Sequence, residues 1–445
     1  MTGALSLADI IYRGDFNALT DEEAIRLLNE QYGSEIARLK RVAPNIEQGD
    51  DDNPPSGNLT PEALTPSRLL FQEDFCEVNR TLVNFLALKW LLADDYPTFT
   101  AHQPEAVKLT QETFQSLRQQ TFQVLESPGH LLALIVLLVL GDVGKDPKLA
   151  DEVTARDGKV GNHDEVIEKA VELGLFSTPL NVLPSALRES VLLAIKVGTE
   201  LNIPQLTQGE NVPGSLQSIL LFRGHEQAFN LKYPAIIFDV AGAGGHIDAC
   251  GATRMIEPVC QSFLLAWPVL RDVIAGNLSL RGAYDQVLQH RGQSLAEQGF
   301  KRLSTDTPSN WAFLRLCAMG RVADQHTAGL FDRAFRSIPH QTRQDLIDGL
   351  NVDGYDDGQA VTLYYMPGLL AEALRVIRDA PEQKWVEALQ SLMSFMARTY
   401  GGSKPQPGQQ GSIVECDISP AKEVVCDPRF RDNPTILDQY NLPIF

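Results

Sequence analysis

The chain has 445 residues, enough for two average domains or one large helical one. Asp and Glu number 57 against 38 Lys and Arg, a net charge of −19, and no basic run interrupts the excess. That balance excludes an ordinary nucleic-acid binder, which carries a basic patch, and disfavours an anionic membrane surface.

Small molecules, metal cations or other proteins are therefore the expected partners, with a small-molecule substrate in front and no oligomeric state implied. Hydrophobic residues make up 44% of the chain, so a large core can be buried. The six cysteines (Cys76, Cys250, Cys260, Cys317, Cys416 and Cys426) are scattered and form no CxxC. This fits reduced thiols in a cytoplasmic protein. The opening "MTGALSLADIIYRGDF" lacks a charged segment followed by a long apolar stretch, so no secretory signal is expected.

In chain order, Thr20 with Glu23 three residues on reads as a capping box that starts an amphipathic helix. Ala43 to Ser67, rich in Pro, Gly and Asp, reads as a loop or linker. Beyond it, apolar residues at three- and four-residue steps predict a long helix from Arg68, a second over Glu105–Glu126 and a third after Pro128. Further helices are predicted near 163–174, 185–200, 215–230, 255–275, 282–298, 309–321, 340–350, 368–379 and 383–399. The best strand-like stretch is "AIIFDVAG", Ala235 to Gly242.

Gly401 to Ser412 reads as a second linker. The tail from Ile413 ends in the apolar "YNLPIF" and is expected to dock on the body, because exposing it is costly. The fold class is mainly α with few short strands. Three parts are expected: an N-terminal helical segment with its linker (1–66), a helical main domain (67–400) and a linker with an extended tail (401–445). The ten apolar residues Leu131–Leu140 fall short of the roughly 20 that span a membrane, and read as a core helix.

That core helix runs into "LLVLGDVGKDPK", where two Asp and two Lys follow Gly141 within seven residues. Of the eight histidines, four (His130, His163, His225 and His246) fall within 117 residues around this segment. Three of those have a carboxylate close by, in "NHDE", "RGHEQ" and "GGHID". Imidazole and carboxylate together are a ligand set for Zn, Fe or Mn.

The segment resembles the HD-domain superfamily of metal-dependent phosphohydrolases and the related HD-fold diiron oxygenases. The match lies in Asp142, Val143, Gly144 and Lys145; the departure is Gly141, where the family has a metal-ligand His. The resemblance covers residues 128–250, placing an HD-like core there. It implies an all-helical fold and a divalent metal (Fe, Mn or Zn) held by Asp142, His163, Asp164, His225, His246 and Asp248. Asp142 and Lys145 would be the catalytic pair, with Lys145 beside a substrate phosphate or carboxylate. His130 cannot replace the missing ligand on an unbroken helix, since twelve residues span about 18 Å; His163 is the better substitute. The implied activity is hydrolysis of a small anionic substrate, or alternatively oxygenation by paired iron. Loss of the ligand at Gly141 favours a third reading, a non-catalytic helical scaffold.

Each candidate has a plainer reading. Asp142 and Asp146 would be loop residues after a helix stopped at Gly141. Asn162 would be an N-cap with Glu165 at the capping-box position, leaving His163 exposed in the first turn. His225 would be a hydrogen-bonded helix residue. Gly242, Gly244 and Gly245 do not complete a dinucleotide fingerprint, and the stretch from Asp353 has Tyr364 where a calcium loop needs Glu.

Overall fold

A computed structural model describes residues 5–43, 64–355, 359–402 and 413–442. Most of both linkers, and the last three residues of the apolar terminus, lie outside these. The fold is mainly α. Among the described residues two short strands occur, Ala360–Tyr364 and Ile413–Asp417, paired in parallel with Ala360 opposite Ile413.

The chain divides into two compact units. Unit 1 comprises Met1–Glu200 and Leu221–Trp267; unit 2 comprises Leu201–Leu220 and Pro268–Phe445. This differs from the three-part division expected along the sequence. The N-terminal helices Leu7–Arg13 and Asp21–Leu39 belong to unit 1, where Leu7, Leu28 and Ile36 are fully buried. Both start on capping boxes, Ser6 with Asp9 and Thr20 with Glu23, so each helix has its first free N–H groups satisfied locally.

At the centre of unit 1 lie three helices, Cys76–Leu92, Pro128–Gly141 and Glu226–Gly242. Nearly every residue of the first is buried, on all its faces. A helix covered on all its faces must pair the polar groups it carries, here Glu77, Asn79, Asn84 and Lys89. Pro128–Gly141 starts with Pro at its first turn and buries Leu132 through Leu140 without interruption. Each such Leu, Ile or Val contributes about 1.5–3 kcal/mol through burial. The window Pro128–Lys145, with mean hydropathy 1.6, is long and apolar enough for a membrane span, yet 78% of it is buried inside the protein.

The expected strand at Ala235–Gly242 is instead the second half of the helix Glu226–Gly242. A short apolar run does not distinguish strand from buried helix by its pattern. Here the packing decides, because the segment lies against the Cys76, Pro128 and Ser185–Gly198 helices, with Ile237, Phe238 and Ala241 buried. The helix expected over 215–230 is also divided. A 3₁₀ stretch, Pro213–Phe222, precedes Gly224, whose φ of +74° breaks the run before the Glu226 helix begins. Several helices had no counterpart among the expected elements, among them Leu7–Arg13, Pro147–Asp157 and Gln325–Ser337.

Unit 2 is built on the helices Leu280–Glu297, Pro308–Met319, Gln325–Ser337, His340–Asn351, Met366–Val376 and Glu382–Gly402. Their apolar faces form one core from Leu295 to Leu437. The tail docks within this unit. Its strand pairs with Ala360–Tyr364, Phe430 and Leu437 are fully buried, and Ser391 donates to the Asp438 carboxylate at 2.6 Å.

The candidate functional site in unit 1

The cluster after Gly141 divides by direction. Asp146 is fully buried and pairs with Arg38 of the Asp21–Leu39 helix and with Arg41 just beyond its end, while also accepting from Lys148 N–H to cap the next helix. It fastens the N-terminal helices to the end of the core helix. Asp142 and Lys145 serve a different set. One 3₁₀ turn, Val143–Lys145, brings the Lys145 Nζ to 2.8 Å from Asp142 Oδ1 and 3.1 Å from Glu77 Oε2. Glu77 also holds Arg80 at 3.1 Å. Gly144 makes the turn possible, because any Cβ there would overlap the carbonyl oxygen of His163.

The Cys76–Leu92 helix supplies Glu77, Arg80 and Asn84, spaced by three and four residues on one face. Asn84 donates to Asp239 Oδ1 at 3.1 Å, while its own amide oxygen is buried without a partner. Lys232 and Asp239 are seven residues apart, two turns along the Glu226–Gly242 helix. Gly242 lets this helix close on Asn84, since a Cβ would overlap the Asn84 side chain and backbone nitrogen.

Electrostatics sort the two carboxylates. Burial alone would raise Asp142, but the Lys145 and Arg80 cations, with the Lys145 hydrogen bond, outweigh it and hold the carboxyl below its ordinary value. Burial likewise opposes the charge on Lys145, and Asp142 overcomes it, so the ammonium is held more firmly than usual. Asp239 goes the other way. Desolvation first, and the charge of Asp142 second, push its carboxyl up to about 6. Yet Asp239 keeps contact with solvent. Burial also lowers Lys232, partly offset by Asp164 and Asp239. Gly141 is exposed, with open space where a side chain would stand.

The residues expected to ligate a metal do not all gather here. His163 opens the helix His163–Glu172, capped by Asn162 as the plainer reading had it, with Glu165 N–H donating to Asn162 Oδ1 at 2.9 Å. Its backbone packs on Gly144 and its charge reaches Asp142, while its ring lies 3.8 Å from Asp164. His225 precedes the Glu226 helix and lines an open surface pocket with Glu189, Ser190 and Gln227. His246 donates from Nδ1 to the Ala243 carbonyl at 3.1 Å. Asp248 is buried beside His102 and Cys250. Asp142, Lys145, His163 and Asp164 thus share one neighbourhood; His225 and Asp248 have other partners. Glu77, Arg80, Asn84, Lys232 and Asp239 were missed. Their signal was present as polar residues at helical spacing on two otherwise apolar helices.

Fold and site define a mainly helical protein whose first unit carries a network of three cations and three carboxylates. One family pattern, DUF6829, a family of unknown function, matches residues 25–437, and the chain belongs to that family. No curated protein and no solved structure matches it.

Proposed function

We propose that unit 1 is an enzyme of the hydrolase type acting on a small anionic molecule. The observation that carries this reading is that two carboxylates within electrostatic reach of each other are driven apart in proton affinity, Asp142 by its ion pair with Lys145 and Asp239 by desolvation and the Asp142 charge, with Arg80 and Lys232 acting on the same groups. Two carboxylates whose surroundings push their proton affinities apart are suited to be base and acid. Asp142, held ionised by Lys145, is the base that activates water. Asp239, protonated up to about pH 6, is the acid that protonates the leaving group. Lys232 and Arg80 supply positive charge for a phosphate or carboxylate. Lys145 already neutralises Asp142 at 2.8 Å.

A second reading, a non-catalytic scaffold, is favoured by the closure of the Glu77–Lys145–Asp142 pairs, which is also what a structural ion network looks like. The two separate by assay. The full chain is offered a panel of small phosphate monoesters, with release of inorganic phosphate followed from pH 5 to 8. The proposal expects turnover that declines as pH rises through about 6, and a loss of about 10²–10⁴-fold in Asp239→Asn. It also expects inorganic phosphate binding by calorimetry, weakened in Lys232→Met. No turnover together with no phosphate binding leaves the scaffold reading standing.

A further inference from the structure

Where the turn Thr100–His102, after the helix Tyr96–Phe99, meets the loop after Gly245, three side chains of different chemistry converge: His102, Asp248 and Cys250. One donor atom of each lies within 4.8 Å of the others. Among the described residues this is the one set of three His, Cys, Asp or Glu that does so. We propose that His102, Asp248 and Cys250 form a zinc site, with a fourth position open to solvent. It is separate from the Asp142–Asp239 network and does not depend on the hydrolase reading.

The placement is built by the backbone. Ala252 N–H donates to the Phe99 carbonyl at 2.9 Å, and Gln103 Nε2 donates to the Ala252 and Met255 carbonyls at 2.7 and 3.1 Å. These bonds clamp the two loops together. Gly251 permits the approach, since a Cβ would come within 2.6 Å of the Ala101 carbonyl oxygen. His102 itself is held at a φ of +61°, a left-handed conformation costing about 1–2 kcal/mol for a residue with a side chain. That backbone turns its imidazole onto Asp248, with Nδ1 2.6 Å from Oδ2.

Asp248 is the buried anchor, 2% exposed, and its other oxygen accepts the Cys250 N–H at 2.9 Å. The imidazole and the thiol lie toward solvent. A buried carboxylate with two accessible ligands above it has a closed floor and an open top.

Nitrogen, sulfur and oxygen donors together suit a borderline-soft ion, and zinc takes all three. Zinc bonds of about 2.0–2.3 Å in tetrahedral geometry place donors about 3.3–3.8 Å apart. The His102–Asp248 pair opens slightly as the metal replaces their shared proton, and Cys250 closes in after losing its own proton to solvent. Three protein ligands with one open position is the arrangement of zinc sites that exchange a water or ligand.

The test uses the full chain, stripped with a chelator and titrated with Zn²⁺ against a chromogenic competitor. One equivalent should bind. Loss of a direct ligand should cost at least what loss of an outer-shell partner does, about 10–100-fold in affinity, in both His102→Ala and Cys250→Ser. Cys426→Ser, at an exposed cysteine in unit 2, should bind as the wild type does. Co²⁺ in place of Zn²⁺ should give a thiolate charge-transfer band that Cys250→Ser abolishes. Absence of stoichiometric binding, or binding unchanged in both ligand variants, overturns the site. Each variant's far-UV circular dichroism is compared with wild type, and Asp248→Asn, which keeps an acceptor for the Cys250 N–H while removing the charge, gives a second reading should His102→Ala fail to fold.

Discussion

Lys145 Nζ lies 2.8 Å from Asp142 Oδ1, one turn further along the chain and just past the end of the most apolar helix. The pair is how a buried helix terminus carries a carboxylate inward without leaving it unneutralised. Lys145→Met removes the cation from both Asp142 and Glu77. Breaking a largely buried pair in this way costs about 3–5 kcal/mol. The sign with pH follows from the lowered Asp142. In the wild type its contribution is present above the unfolded carboxyl value and lost as pH falls through the lower folded one. The deficit of Lys145→Met should thus be full at pH 7 and shrink in acid as the stranded, desolvated Asp142 takes up a proton. Urea unfolding at pH 7 and in acid measures it. An equal deficit at both would show that charge is not the cause.

Gly141 and Gly144 are three residues apart and should respond oppositely to alanine. At Gly141 nothing stands within 4 Å of an added Cβ, and the residue is helical. Gly141→Ala should stabilise by about 0.4–1 kcal/mol by restricting the unfolded chain. At Gly144 the new methyl would overlap the His163 carbonyl oxygen. Gly144→Ala should cost about 1–3 kcal/mol or more, as overpacking does. Thermal melting of the two variants side by side is sufficient; similar shifts would contradict the packing of the Val143–Lys145 turn on the His163 helix.

Unit 2 holds a buried carboxyl of its own. Glu210 accepts from Tyr365 N–H at 2.7 Å, and burial pushes it up to about 7. A raised acid binds its proton more tightly in the folded state. Its stabilising contribution is complete below the unfolded value near 4.5 and is lost as pH rises through about 7. Glu210→Gln keeps the acceptor oxygen and removes the charge. It should match wild type at pH 4 and exceed it by about 2–3 kcal/mol at pH 8. Denaturant curves at both pH values check this, and a variant less stable than wild type at pH 8 would reverse the sign.

Arg315 is fully buried and donates to four backbone carbonyls, those of Gly209, Glu210, Asn211 and Leu350, at 2.5 to 3.2 Å. No single backbone donor could serve all four. Arg315→Met keeps apolar bulk but leaves the carbonyls of Gly209, Glu210 and Leu350 to find new partners, at about 1–3 kcal/mol each where none is found, while Asn211 keeps its bond from Tyr284. A total loss above about 3 kcal/mol is expected, with faster amide exchange concentrated in residues 203–212. Unchanged exchange there would mean the carbonyls were satisfied otherwise.

The sequence alone determined what depends on neighbours along the chain. The Thr20 capping box, the Asn162 cap with Glu165, and the burial of Pro128–Gly141 were all legible, because a cap is completed within four residues and an all-apolar helix has nowhere else to go. Asp142 and Lys145 were legible for the same reason, as charges at the end of such a helix. Only the tertiary structure decided the rest. Residues 235–242 carry apolar residues that suit either strand or helix, and the helices packed on them settled the matter. Glu77 meets Lys145 across 68 positions, Asn84 meets Asp239 across 155, and His102 meets Asp248 across 146. No local pattern encodes such pairings. They follow from close-packed helices and small residues, Gly242 and Gly251 among them, that let two backbones approach until distant side chains share one site.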